Sequence, residues 1–161
     1  MTQFSTIIPF TPKPKASVRL GKSGFFNPSS RGMARTAEHV RKNLTLEKPL
    51  KGPLLIIAHF VMPSPKHAHV SARRKRHLQP HCSKPDVDNL EKYLSDALRG
   101  IVWEDDAQIC WMILSKSSTV EIEGHTFLYV QELDSPQPDY QGILASIKNN
   151  IDLQKGTIYA L

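Results

Sequence analysis

Two periodicities divide the chain into elements. Residues 2–10, which include FSTIIPF, predict a first strand. Pro12 and Pro14 then remove ladder donors and fix an extended path, so an arm or sheet edge should follow, with a short hairpin turning at residues 21–24. Ser29 or Ser30 supplies an N-cap for a helix running to about Leu44. Its apolar stripe is narrow, Ala34, Ala37, Val40 and Leu44, and Arg31, Arg35, Arg41 and Lys42 occupy the other faces, a pattern that suits solvent or phosphate equally. Residues 54–62 are short and rich in branched apolar side chains, the mark of a strand buried on both faces and hence of a sheet centre.

From Val87 the period changes. Val87, Leu90, Leu94, Ala97 and Leu98 recur three or four apart and predict a second helix, stopped by Gly100. Residues 107–114 read as a strand with Ile109, Trp111 and Ile113 on one buried side, and residues 126–133 as another, with the turn between them at 115–124. Tyr140, Ile143, Leu144, Ile147 and Ile151 return to helical spacing. The expected fold is therefore a small α/β domain of mixed α+β type at residues 1–133, a four-stranded mixed sheet packed by two main helices. Residues 134–161 would add a C-terminal extension with an amphipathic helix.

Composition narrows the function. With 161 residues, one core of useful size can form without disulfides or a structural metal. The longest apolar run, PLLIIAHFVM, is about half the length that spans a bilayer. The N-terminus lacks the basic and small-residue marks of a secretory signal, so a cytoplasmic protein without a membrane span is expected. Cys82 and Cys110 suit free thiols in a reducing compartment. Charge is strongly split: residues 1–85 hold sixteen Lys/Arg and two acids, and residues 86–161 hold five and thirteen, giving +14 and −8. Nucleic acid is the first partner this suggests. Residues 64–85 carry six Lys/Arg, four His and three Pro without an acid, a composition that predicts a mobile loop ordering on a polyanion.

The candidate chemistry lies in KPDVDNLEKYLSDALRGIVWEDDAQI, residues 84–109. Asp86 at a helix start and Asp88 in its first turn are what capping alone would favour. Asp88 and Lys92, four apart, are what a weak surface ion pair would look like. Neither accounts for Asp105 and Asp106 before the next strand. Carboxylates at a helix start and at a strand start, with a lysine one turn on, can converge, and oxygen ligands at that density select a hard cation, Mg²⁺ or Mn²⁺. Such an ion acidifies water and polarises phosphoryl oxygens, and a nearby lysine stabilises developing charge, so a metal-dependent nuclease is the reading.

The residues KPDVDNLEKYLSDAL followed by WEDDAQI resemble the RusA family of Holliday junction resolvases, whose members look like KPDxDNLxKxxxDAL, a short linker, and xDDxQ. The resemblance implies that Asp86, Asp88 and Asp106 bind Mg²⁺, with Asp105 an additional candidate, and that Lys92 is the catalytic lysine. It further implies a homodimer acting on branched DNA, and a C2 dimer offers two equivalent sites to a nearly two-fold-symmetric four-way junction. Asn89 and Asp96 match the motif without an assigned role. Lys13, Lys15, Arg19, Lys22, Arg73, Arg74, Lys75, Arg76 and Lys84 are the expected DNA contacts. Two departures stand out, the long His-rich loop and the C-terminal extension. Three rivals stay open: a zinc knuckle built from His67, His69, His77, His81 and Cys82, a non-catalytic DNA-binding protein on this fold, and a nuclease acting on flaps, forks or RNA.

Overall fold

The structure, a computed structural model, describes residues 2–22, 24–63, 79–119 and 123–134, together with Gln141, Gly142 and Ala145. Its elements are β1 (Gln3–Ile8), β2 (Arg19–Gly21), β3 (Gly24–Phe26), α1 (Ser30–Asn43), β4 (Leu54–Pro63), β5 (Gln79–Pro80), α2 (Val87–Leu98), a 3-10 turn (Asp106–Gln108), β6 (Ile109–Thr119) and β7 (His125–Glu132). The main sheet has the order β1-β7-β4-β6-β5, with β4 in the middle. β4 pairs parallel to β6 and antiparallel to β7, and β1 closes the far edge antiparallel to β7. The mixed four-stranded α+β fold is as expected, with the two-residue β5 added beside β6. β2 and β3 form a separate two-stranded sheet.

The apolar run of β4 lies at the centre because both of its faces are covered. Leu54, Ile56, Ala58, Phe60 and Met62 face α1 and α2, while Leu55 and Ile57 pack with Tyr129 on the opposite face. α2 contributes Leu90, Leu94 and Leu98, successive rungs of one face, to the first of these cores. Fully burying each such side chain contributes roughly 1.5–3 kcal/mol. Leu90→Ala would cost about 2–5 kcal/mol and unseat the start of the helix. Gly100 ends α2 with φ +75°, a left-handed turn that suits glycine. Among the described residues no helix is long and apolar enough to cross a membrane.

Four expectations change. The buried face of α1 is Thr36 and Val40, with Met33 and Leu44 packed at its edge; Ala34 is exposed. Thr36 hydrogen-bonds the Tyr93 hydroxyl of α2, so a polar contact fixes the rotation of the helix. The third strand begins at Ile109 and runs to Thr119, because residues 106–108 close a 3-10 turn and β6 is held along the whole of β4. Ile109, Trp111 and Ile113 do not share a side: the register slips between Leu54 and Leu55, so Ile109 packs toward the helices and Trp111 and Ile113 pack on the other face. Residues 79–85, expected as loop, include β5. Residues 64–78 and most of the predicted C-terminal helix lie outside the described residues, although Gln141, Gly142 and Ala145 are helical.

Candidate active site

α2 opens at Asp86, the N-cap residue, with extended backbone (φ −71°, ψ 147°). Its side chain makes no capping hydrogen bond. The carboxylate instead pairs with Lys84. Capping therefore does not explain Asp86. The segment leading into it is held from below by Lys116 of β6, whose Nζ donates to the carbonyls of Ser83 at 2.7 Å and Pro85 at 2.6 Å. His81 N–H donates to the Lys116 carbonyl at 3.3 Å. One strand residue thus fixes the chain on both sides of Lys84.

Asp88 lies in the first turn and accepts a bond from Lys92 Nζ at 3.1 Å. That bond is the main reason its carboxyl titrates below the usual carboxylate value; desolvation opposes it, and the charge of Lys92 and the backbone N–H groups of Asn89 and Asp88 lower it further. The pair is solvent-exposed, so it contributes little to stability. What it supplies is a carboxylate ionised at neutral pH beside a cation.

Asp106 is built differently. It opens the 3-10 turn, and its Oδ1 accepts from the indole N–H of Trp103 at 2.7 Å. Trp103 is fully buried, so its N–H needs a partner and holds Asp106 in one orientation. The other oxygen, Oδ2, lies 4.0 Å from Arg99 Nη1. Asp105 is explained by structure alone: its carboxylate caps the turn, accepting from Ala107 N–H at 2.9 Å. Gln108 completes the capping box and makes four bonds. Its Oε1 accepts from the Glu104 and Asp105 N–H groups, and its Nε2 donates to the carbonyls of Leu50 and Gly52. The Asp-Asp-x-Gln turn is thereby locked onto the segment entering β4.

These residues form two half-sites. Asp86, Asp88 and Lys92 sit at the start of α2, and Asp106 sits beyond its end, next to Arg99. The helix runs back along the sheet, so its start lies by Lys116 near the end of β6 and its end lies by the start of β6. A helix of 12 residues is about 18 Å long. The expected convergence of helix start and strand start is therefore not met within one chain. Among the described residues no three Asp, Glu, His or Cys side chains are grouped to hold an ion. The donor chemistry nevertheless fits a hard divalent cation, since Asp86, Asp88 and Asp106 all offer carboxylate oxygens that solvent reaches, and an ion would displace their present cationic partners Lys84, Lys92 and Arg99.

The arm of residues 11–17 lies on the same helix. Lys15 N–H donates to the Asn89 carbonyl at 3.0 Å, and its Nζ pairs with Asp96 Oδ2 at 2.5 Å. Asp96, the motif aspartate without an assigned role, holds the arm. Lys15 is thus a strut of the fold as well as an expected DNA contact. Lys13 and Arg35 line a cleft between the arm and the helices, with the Arg35 guanidinium 3.9 Å above the Phe10 ring. Arg19 and Lys22 belong to the β2–β3 hairpin. Lys84 is paired with Asp86. Arg73, Arg74, Lys75 and Arg76, and His67, His69 and His77 of the zinc alternative, lie outside the described residues. Arg99, Trp103, Gln108 and Lys116 were not singled out from sequence; a tryptophan three residues before Asp106 was the readable signal.

An α+β domain with acids at a helix start and at the turn into a parallel strand has the frame of a metal-dependent nuclease. The chain belongs to the RusA family: its residues 9–126 match the family described as endodeoxyribonuclease RusA. It is also similar to a protein of Bacillus subtilis (strain 168) called uncharacterized protein YqaN, 30% identical over 110 residues, which is 65% of this chain and 77% of that one. The family makes the chain an endodeoxyribonuclease, an enzyme of a metal-dependent hydrolase class that acts on branched DNA.

Proposed function

We propose that the chain is a Mg²⁺-dependent, structure-selective endodeoxyribonuclease that resolves four-way junctions by paired symmetric nicks in recombination and repair. It works as a homodimer in the cytoplasm, and Mn²⁺ can replace Mg²⁺. The observation that carries this reading is the Asp86 carboxylate: it stands at a helix N-cap, makes no cap bond, and faces solvent beside the ionised Asp88 and Lys92.

Asp86, Asp88 and Asp106 would hold the ion, which would supply charge neutralisation at the scissile phosphate and acidify water. Lys92, released from Asp88, places its ammonium against charge developing on the phosphate oxygens. Trp103 keeps Asp106 aimed, and Lys116 keeps the Asp86 segment in place. The separation of Asp106 from Asp86 and Asp88 in one chain favours a site completed across the dimer. A two-fold axis would set the Asp106 turn of each protomer against the α2 start of the other, generating both sites at once.

Cutting of a four-way junction, a fork and a linear duplex is to be compared in Mg²⁺ for the wild type and Asp88→Asn. Symmetric junction nicks, lost in the variant, are the expected result. Equal cutting of linear duplex would remove the structure selectivity, and undiminished cutting by Asp88→Asn would remove the site.

A further inference from the structure

The β2–β3 hairpin exposes most of the large apolar surface seen among the described residues. Phe25 is 80% exposed, Leu20 73%, Val18 60% and Phe26 49%. The register pairs Leu20 with Phe25 and Arg19 with Phe26, so one face of the ribbon is aliphatic and aromatic and the other joins a cation to a ring. Phe26 folds back on its own strand pair: a Cβ at Gly21 would come within 3.1 Å of its Cδ1. Phe25 has no such seat. Four large apolar side chains exposed together, Val18, Leu20, Phe25 and Phe26, form a contiguous patch of the kind that marks an interaction surface.

The hairpin is also fixed where it leaves the body. Ala16 N–H donates to Ser29 Oγ at 2.9 Å, joining the two ends of the excursion at the start of α1. Ser29 N–H and Ser30 Oγ both bond Asn27, at 2.9 and 2.8 Å, closing the return. One residue before Ala16, Lys15 is bonded to Asn89 and Asp96 of α2. The ribbon thus springs from an arm lying on the helix that carries Asp88 and Lys92.

Charge selects the occupant. Residues 1–37 contain six Lys/Arg and no acid, and two of these cations, Arg19 and Lys22, are on the hairpin itself. Two such hairpins meeting about a two-fold axis would oppose like charges. Apolar rings interleaved with cations are instead the composition of a surface that stacks unpaired bases while neutralising their phosphates. We infer that the β2–β3 hairpin binds the branch region of the DNA, with Phe25 stacking on a base unstacked there and Arg19 and Lys22 on the flanking phosphates. This rests on the proposed action on branched DNA and adds to it the element that recognises the branch.

The test uses the full chain carrying Asp88→Asn, so that bound DNA is not cut, with the fluorescent base 2-aminopurine at the branch point of a junction or in the single-stranded arm of a fork. The expected result is a change in base fluorescence on binding that Phe25→Ala abolishes and Phe25→Trp restores. Junction affinity should fall about five- to a hundredfold in Phe25→Ala, the loss of one base stack, with linear-duplex affinity unchanged. Phe25→Leu, which keeps an apolar side chain without a π-face, should behave like the alanine variant. If Phe25→Ala matches its parent in fluorescence and affinity, or if Phe25→Leu retains both and Phe25→Ala instead lowers the oligomeric state, the stacking role is wrong and the hairpin is a protein contact. A chain that shows no preference for junction over duplex overturns the proposed function instead, while the fork arm still reads stacking.

Discussion

Trp103 donates its indole N–H to Asp106 across 2.7 Å, so a core residue of the sheet–helix junction aims a carboxylate of the candidate site. Trp103→Phe keeps most of the ring in the core but removes that donor. A cavity cost of about 1–3 kcal/mol is expected. The more telling change is in metal dependence: the Mg²⁺ concentration for half-maximal cutting should rise about 10- to 100-fold, as when a ligand loses its orienting partner. Asp106→Asn retains an oxygen for Trp103 and loses the charge, so it should fold normally and fail to cut. Thermal melts beside Mg²⁺ titrations of both variants would separate orientation from charge.

Lys92→Ala should separate binding from cutting. Its ammonium now bonds Asp88, so removing it allows the Asp88 carboxyl to titrate closer to the ordinary carboxylate value. The lowered value makes a small contribution to stability that is present above the ordinary carboxylate pKa and lost as pH falls through the folded-state value. At neutral pH the variant therefore keeps an ionised Asp88 and should still take up metal and junction DNA. Nicking should fall at least about 10²-fold, the scale for losing a charge aimed at the transition state. Chelation by EDTA should give the same phenotype in the wild type. Gel shifts and nicking assays on the same samples would test this; loss of binding in Lys92→Ala would show that the lysine grips DNA rather than assisting the reaction.

A separate pH dependence should come from the sheet. His59 of β4 has both ring nitrogens engaged, Nδ1 with Ser115 Oγ at 2.6 Å and Nε2 with Ser117 Oγ at 2.9 Å. Burial, and secondarily the charge of His125, hold its pKa below the usual histidine value. The unfolded chain then binds the proton more readily than the folded one, so stability is full above about pH 6.5 and declines as pH falls toward the folded-state pKa. Tm should drop between pH 7.5 and 5.5 by more in the wild type than in His59→Gln. An equal drop in both would assign the acid sensitivity elsewhere.

These cases show what could be read from the residues and what could not. The period of Leu90, Leu94 and Leu98 marks α2 because one face of a helix must be apolar to sit on a sheet, and β4 declares itself by being apolar on both faces. The acids were legible as chemistry because capping and ion pairing leave some of them unexplained. Their relative position was not. Asp88 and Asp106, both within the single stretch of residues 84–109, are separated by the return of α2 along the sheet, a consequence of the parallel β4–β6 pairing that no local pattern states. The slip between Leu54 and Leu55 reversed part of one strand for the same reason, since a bulge changes phase without changing composition. Asp96 matches the motif without a role in the sequence and gains one from Lys15; the part played by Gln108 rests on the carbonyls of Leu50 and Gly52, far away in sequence.

The basic stretch at residues 64–85 offers a prediction that needs only its charge. Replacing Arg73, Arg74, Lys75 and Arg76 with Gln should weaken binding to all DNAs alike and flatten the dependence of log K on log salt by up to about 3.6, since each phosphate contact contributes about 0.9. Binding measured at several salt concentrations gives the slope directly. An unchanged slope would remove these residues from the interface.

The arrangement of half-sites makes the sharpest demand on the proposed dimer. Asp88→Asn and Asp106→Asn should each be inactive alone. If a site joins the α2 start of one protomer to the Asp106 turn of the other, a mixed dimer of the two variants has one site with both substitutions and one with neither. Mixing the inactive proteins under conditions that exchange subunits should then restore nicking, on one strand of the junction per dimer. A site contained within each protomer would be damaged in both subunits, and no mixture would recover. Subunit exchange can be followed by size-tagged protomers while nicking is assayed, so that absence of activity in a verified mixed dimer would assign Asp106 to its own chain or remove it from the metal site.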